Sequence, residues 1–168
     1  MCHMFQITAG PLVDLGPFQR ATAFICHATG GRCEDWDPWK GANAVLLQTQ
    51  LDDELYDGPH TVRVYRKQML GVAGTTDEAG LAEGVRSGAL PVAQAVEAIR
   101  HDKLGGRPVW ITGDATPQSR VGTGPMRLVA QVTTQITGFD ITPKGIAYLF
   151  IDPHDTSSSA GVLLWQGG

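Results

Sequence analysis

The chain is short of charge, of aromatic rings and of cysteine, and these shortages close off whole classes of protein. Charged residues make up 18% of 168 positions, the formal net charge is -4, and no basic cluster exceeds two or three residues. A cationic face for nucleic acid is therefore not expected, since backbone phosphates demand a concentrated row of Lys and Arg. Three cysteines, Cys2, Cys26 and Cys33, are too few, and odd in number, for a disulfide-framed mini-protein, so reduced thiols are the simplest reading. No apolar run approaches the ~20 residues of a membrane-spanning helix. The opening "MCHMFQITAGPLVDLG" lacks the charged and then apolar order of a secretory signal, so the expectation is cytoplasmic synthesis without a signal peptide and no membrane partner.

What the chain does have is 42% hydrophobic residues and 21 glycines. At this length one domain can bury about 70% of its unfolded surface, and the glycines predict many turns. "MFQITAG" and "ATAFICHAT" read as strands. From Gly41 the reading becomes helical, with Ala42, Val45, Leu46 and Thr49 at three- and four-residue spacing. "TVRVYRKQML" is a second candidate helix. "TTDEAGLAEGVR" is a third, with Thr75 and Glu78 forming a capping box and Leu81 and Val85 the apolar stripe. A fourth starts near Pro91, turns Val92, Ala95, Val96 and Ile99 inward, and stops at Gly105 and Gly106. After that "RPVWITG", "RLVAQVTTQITGFD", "KGIAYLFIDP" and "AGVLLWQ" read as strands, with "DITPKG" as a hairpin turn and "TSSS" as a turn. Helices in the first two thirds and an antiparallel sheet in the last third predict an α+β domain.

Several strings taken in order resemble the papain-like fold, in particular the bacteriocin-processing (double-glycine) cysteine peptidases. "WKGANAVLLQ" is similar to their nucleophile helix and "GTTDEAGLAEGVR" to a Gly-Thr segment that follows it. "VAQAVEAIRHDKLGGRPVWITGD" is similar to a helix leading into a Gly-Arg-Pro-Val strand, and "QVTTQITGFDITPKGIAYLFIDP" to the final hairpin. The resemblance spans residues 36–153, which implies a papain-like domain over 36–168 and an N-terminal arm or strand extension over 1–35.

In such a site a cysteine at a helix N-terminus is held as thiolate by the helix dipole and a neighbouring imidazolium. The resemblance puts Lys40 at the nucleophile position, Val132 or its neighbour Gln131 at the base, and Asp152 at the orienting acid. A helix N-terminus disfavours a cation by only ~0.3–1 kcal/mol, far less than is needed to free a lysine amine at neutral pH. The domain implied is a degenerate, non-catalytic one without cofactor or metal. It is similar to domains used as virion parts by actinobacterial phages, with protein partners or self-association and a virion-associated location. Its vacated cleft would hold Trp36, Trp39, Lys40, Gln131, Asp152 and His154.

Two alternatives accompany this reading. One is an active cysteine peptidase or amidase using Cys33 or Cys26 with His60, His101 or His154, although Glu34 and Asp35 beside Cys33 would suppress its thiolate. The other is a small-molecule or peptide-binding protein whose cleft is lined by some of Trp36, Trp39, Trp110 and Trp165, residues that more often build cores. "IDPHD" offers Asp152, His154 and Asp155 as metal ligands, but Asp-Pro at a strand end is ordinarily a turn. Cys2-His3, Cys26-His27 and Cys33 match no zinc spacing, and the Gly-rich "GDATPQSRVGTGP" lacks a phosphate-binding Lys-Ser/Thr, so it reads as a connection between strands.

Overall fold

The computed structural model describes residues 1–26, 33–34, 36–51, 78–99, 101–133 and 144–167. Among them are seven strands and two helices: β1 (Cys2–Thr8), β2 (Arg20–Ile25), β3 (Asn43–Gln48), α1 (Glu78–Arg86), α2 (Val92–Ile99), β4 (Lys103–Leu104), β5 (Arg127–Thr133), β6 (Ile146–Ile151) and β7 (Gly161–Gln166). The fold is mostly β, with two antiparallel sheets ordered β1-β2-β3 and β4-β5-β6-β7. This corrects the expected order of helices in the first two thirds and a sheet in the last: among the described residues three strands precede the two helices and four follow them.

The chain divides into two compact units, Met1–Arg63 with Asp102–Gly168, and Val64–His101. Both sheets belong to the first. Residues 1–35 supply β1 and β2; β1 pairs with β2, and β2 pairs with β3 across residue 35.

The stretch from Gly41, read as a helix, is strand β3. Its burial alternates: Asn43, Val45 and Leu47 point inward, while Leu46 stays 45% exposed. Period two is the strand signature, and six antiparallel pairings with β2, from Ile25 with Asn43 to Arg20 with Gln48, fix it. The neighbouring β2 carries Ala21, Ala23 and Ile25 on its inner side, where the two alanines leave room for the second sheet to approach.

β6 divides that approach into two cores. All six of its residues are buried. Ala147, Leu149 and Ile151 join Val45, Leu47 and Leu163 in the core shared by the two sheets. Ile146, Tyr148 and Phe150 face the other way, where Trp110 and Ile111 cover them together with Val162 and Leu164. An irregularity between Leu128 and Ala130 lets Val129 and Ala130 both enter the first core, and the Gly105 amide takes the Val129 carbonyl at 2.8 Å. The sheets meet closely where β3 crosses β7. A Cβ built on Gly161 would lie 2.3 Å from Val45 Cγ1, so only glycine fits there.

"RPVWITG", expected as a strand, is not one. Its backbone is held by side chains instead: Gln131 Oε1 accepts from Val109 N, Gln166 Oε1 from Ile111 N and Thr112 N, and Gln166 Nε2 donates to Gly113 O. Tyr148 OH donates to Val109 O at 2.6 Å. The segment reads as apolar because Trp110 and Ile111 lie on the second core, not because it joins a ladder.

In the second unit α1 and α2 pack on one another. Leu81 and Val85 are half-buried, and Ala95 is buried. Val92, expected inward, is 63% exposed, and α2 ends at Ile99 rather than at Gly105, because Lys103–Leu104 has already joined β5 as β4. The expected helix over "TVRVYRKQML", the capping residue Thr75, the side chains of Val96 and Ile99, and most of the "DITPKG" link lie outside the described residues. No helix among those described is long and apolar enough to cross a membrane.

Candidate functional site

The residues singled out around "DPWK" sit in a tight turn, not at a helix head. Asp37 Oδ1 accepts from Trp39 N at 2.8 Å, and the Asp37 and Lys40 amides bond back to the carbonyls of Glu34 and Asp37. This is the aspartate turn that short polar side chains favour. Lys40 pairs with Glu34 at 3.3 Å, with both side chains more than half exposed. Such a pair contributes about 0–1 kcal/mol.

That turn lifts two residues, Trp36 and Pro38, against the end of β7. With Trp165 and Gln166 of that strand, and Thr112 and Ala115 of the preceding loop, they enclose a concavity of about 310 Å³. Trp36 is 53% exposed. Among the described residues no charged side chain lines the space. The Gln166 amide bonds Ile111, Thr112 and Gly113, which fixes its orientation in the wall. Trp165 Nε1, by contrast, is buried with no hydrogen-bond partner among the described residues. A buried donor left unmatched costs about 1–3 kcal/mol.

A second cluster forms around Trp39 and the turn after β6. The Arg120 guanidinium lies 3.8 Å from the centroid of the Trp39 ring, and the Arg120 amide donates to Asp152 Oδ2 at 3.2 Å. Asp152 Oδ1 accepts from the His154 amide at 2.9 Å. Burial alone would raise the Asp152 pKa, but the His154 amide, the Ser119 hydroxyl, the Arg120 amide and the nearby His154 ring outweigh it and hold the carboxyl below its ordinary value. His154 bonds Thr123 O through Nε2 at 3.1 Å, and its ring lies where a Cβ on Gly122 would have to be, at 2.4 Å. Asp152 thus organises the turn after β6, with its own amide donating to Ala160 O and Asp155 N returning to its carbonyl.

The sequence-derived set is dispersed by this arrangement. Gln131 and Val132 are buried on β5, and Gln131 is committed to Val109. Lys40 keeps to Glu34. Trp39, Asp152 and His154 are linked through Arg120, and Trp36 alone of the expected cleft residues lines the concavity. Trp110 is core, stacked at 6.0 Å on Phe150, whereas Trp165 lines the space with Trp36. Among the fallback residues, Cys26 Sγ and Cys33 Sγ lie 2.7 Å apart. His60 lies outside the described residues, and His101 belongs to the second unit. Pro38, Thr112, Ala115, Gln166 and Arg120 were not anticipated; the apolar "DPW" turn and the terminal "WQ" were the available signals. Among the described residues no group of three or more His, Cys, Asp or Glu side chains is disposed to hold a metal ion. Compared with known protein families, curated proteins and solved structures, the chain matches none.

Proposed function

We propose that this chain is a non-catalytic binding protein that receives a small uncharged molecule between Trp36 and Trp165. The observation that carries this reading is the concavity itself: two indoles and a proline around about 310 Å³, with no charged side chain among its described lining residues. Its size falls at the low end of small-molecule sites, roughly 300–1,000 Å³. Flat apolar walls favour a ligand with a flat apolar face.

Coumarin, an uncharged flat bicycle with one carbonyl, is a suitable probe. Titrated into nitrogen-15-labelled protein, it should shift the Trp36 and Trp165 indole N–H resonances along one saturable curve, and Trp36→Ala should weaken that curve several-fold. Naphthoate, similar in shape but anionic, should bind more weakly. Unmoved indole resonances up to the solubility limit of coumarin would refute the reading. A strictly concentration-dependent shift of the same resonances without ligand would show instead that a second copy of the chain covers Trp36, the assembly role expected from sequence.

A further inference from the structure

Cys26 and Cys33 do not line the concavity. Cys26 closes β2, where its amide donates to Ala42 O at 2.7 Å and so holds it beside the start of β3. Cys33 opens the turn that runs to Lys40. Both residues are partly buried, and their sulfurs are 2.7 Å apart. Two sulfurs not bonded to each other rest at roughly 3.6–4 Å, the ordinary contact range of heavy atoms. Two thiolates on one zinc, each at ~2.3 Å in a tetrahedral arrangement, would sit nearly ~3.8 Å apart. The pair is closer than either, and about 0.7 Å from the ~2.05 Å of a covalent bond.

We infer that Cys26 and Cys33 are a reversible disulfide site, oxidised by low-molecular-weight disulfides such as oxidised glutathione. The exchange balances in two steps. One protein thiol gives up its proton, and the thiolate attacks a glutathione sulfur; the glutathione S–S bond breaks and one glutathione thiolate leaves, taking up a proton. The second protein thiolate then attacks the mixed disulfide at the protein sulfur, forms the Cys26–Cys33 bond and releases the second glutathione. Two protein thiols are oxidised and one small disulfide is reduced to two thiols. The bond would tie the turn bearing Trp36 to the end of β2 and close a short loop, the kind of cross-link that restricts the unfolded chain.

Cys2, on β1, is the internal control. The full chain is incubated with oxidised glutathione, quenched in acid with N-ethylmaleimide, and mapped by non-reducing mass spectrometry. The expected result is maleimide on Cys2 alone, a peptide pair joined through Cys26 and Cys33, and a thermal midpoint raised by roughly 5 °C. Dithiothreitol should restore three reactive thiols in the folded protein. In Cys26→Ser and Cys33→Ser the remaining partner should stop at the glutathione adduct. Maleimide on all three cysteines after oxidation, a bond involving Cys2, glutathione retained on wild-type Cys26 or Cys33, or a bond that dithiothreitol leaves intact would each overturn the proposal.

Discussion

Replacing Gly161 by alanine should test how the two sheets are held together. The new Cβ would sit 2.3 Å from Val45 Cγ1, 2.8 Å from Val45 Cβ and 3.4 Å from Leu47 Cγ. Carbon atoms pack at about 3.5–4.0 Å, so β3 and β7 would have to part by more than about 1 Å or Val45 would have to leave its rotamer. Val45 is only 8% exposed and has little space to move into. Overpacking of this sort costs about 1–3 kcal/mol, and the absence of any relief nearby places Gly161→Ala in the upper half of that range. Val45→Ala alone removes two methyl groups, about 1.6 kcal/mol at ~0.8 kcal/mol each, and the cavity it leaves takes the cost to roughly 2–3 kcal/mol. Combined, the two changes should relieve one another in part: the 2.3 Å contact with Cγ1 disappears, while the Cβ of residue 45 still lies 2.8 Å from the new methyl. The expected coupling is about 1–2 kcal/mol in the favourable direction. Urea denaturation followed by tryptophan fluorescence measures all three variants, with unchanged slopes as the sign of an unaltered unfolding transition. A Gly161→Ala cost under about 0.5 kcal/mol, or strict additivity in the double variant, would refute the close crossing of β3 and β7.

Acid should destabilise the protein in two separate windows. Partial burial against Phe24 lowers the His3 pKa from 6.5, against a smaller opposing effect of the Phe5 backbone; its contribution is whole above 6.5 and is lost as pH falls through the lower folded value, modestly because the residue remains exposed at its edge. Asp152 acts lower: its contribution is whole above 3.8 and lost as pH falls through its depressed folded value. His3→Gln should flatten the first limb of a stability-against-pH curve and Asp152→Asn the second, and limbs that survive these changes would disprove the assignments. Asp152→Ala should cost about 1–3 kcal/mol at neutral pH by stranding the Arg120 and His154 amides, measured by urea melts. Lys40→Ala should change stability by less than about 1 kcal/mol, since it loses only an exposed pair with Glu34; a larger loss would mean that Lys40 does something the turn does not show.

How much of this was legible in the sequence depends on where each element gets its partner. β6 announced itself because both its faces are covered, so "IAYLFI" is apolar at every position. β3 did not. Val45, Leu46 and Leu47 in a row satisfy a helical spacing as readily as a strand, and the choice is made by β2, some twenty residues away, not by the segment. The helices around Glu78 and Val92 were visible from local periodicity, but the outward face of Val92 was not. At the candidate site the indoles of Trp36 and Trp165 could be named as possible lining, while their meeting depends on an aspartate turn at one end and the last strand at the other. The Cys26–Cys33 contact was invisible for a similar reason: seven positions of spacing say nothing until the ends of β2 and of the turn are fixed.

The two glutamines that hold residues 109–113 have a further consequence. A carboxamide offers the same donor and acceptor as a peptide group, so Gln131 and Gln166 serve as two detached peptide units standing in for a missing neighbour strand. Hydrolysis of one amide to a carboxylate, the slow chemical ageing to which such side chains are prone, would set a negative charge beside a carbonyl that it can no longer satisfy. At Gln166 that carbonyl is Gly113 O, and Thr112 next to it forms part of the concavity's wall. One atom exchanged on a single side chain would then loosen the lid of the second core and the wall of the concavity together.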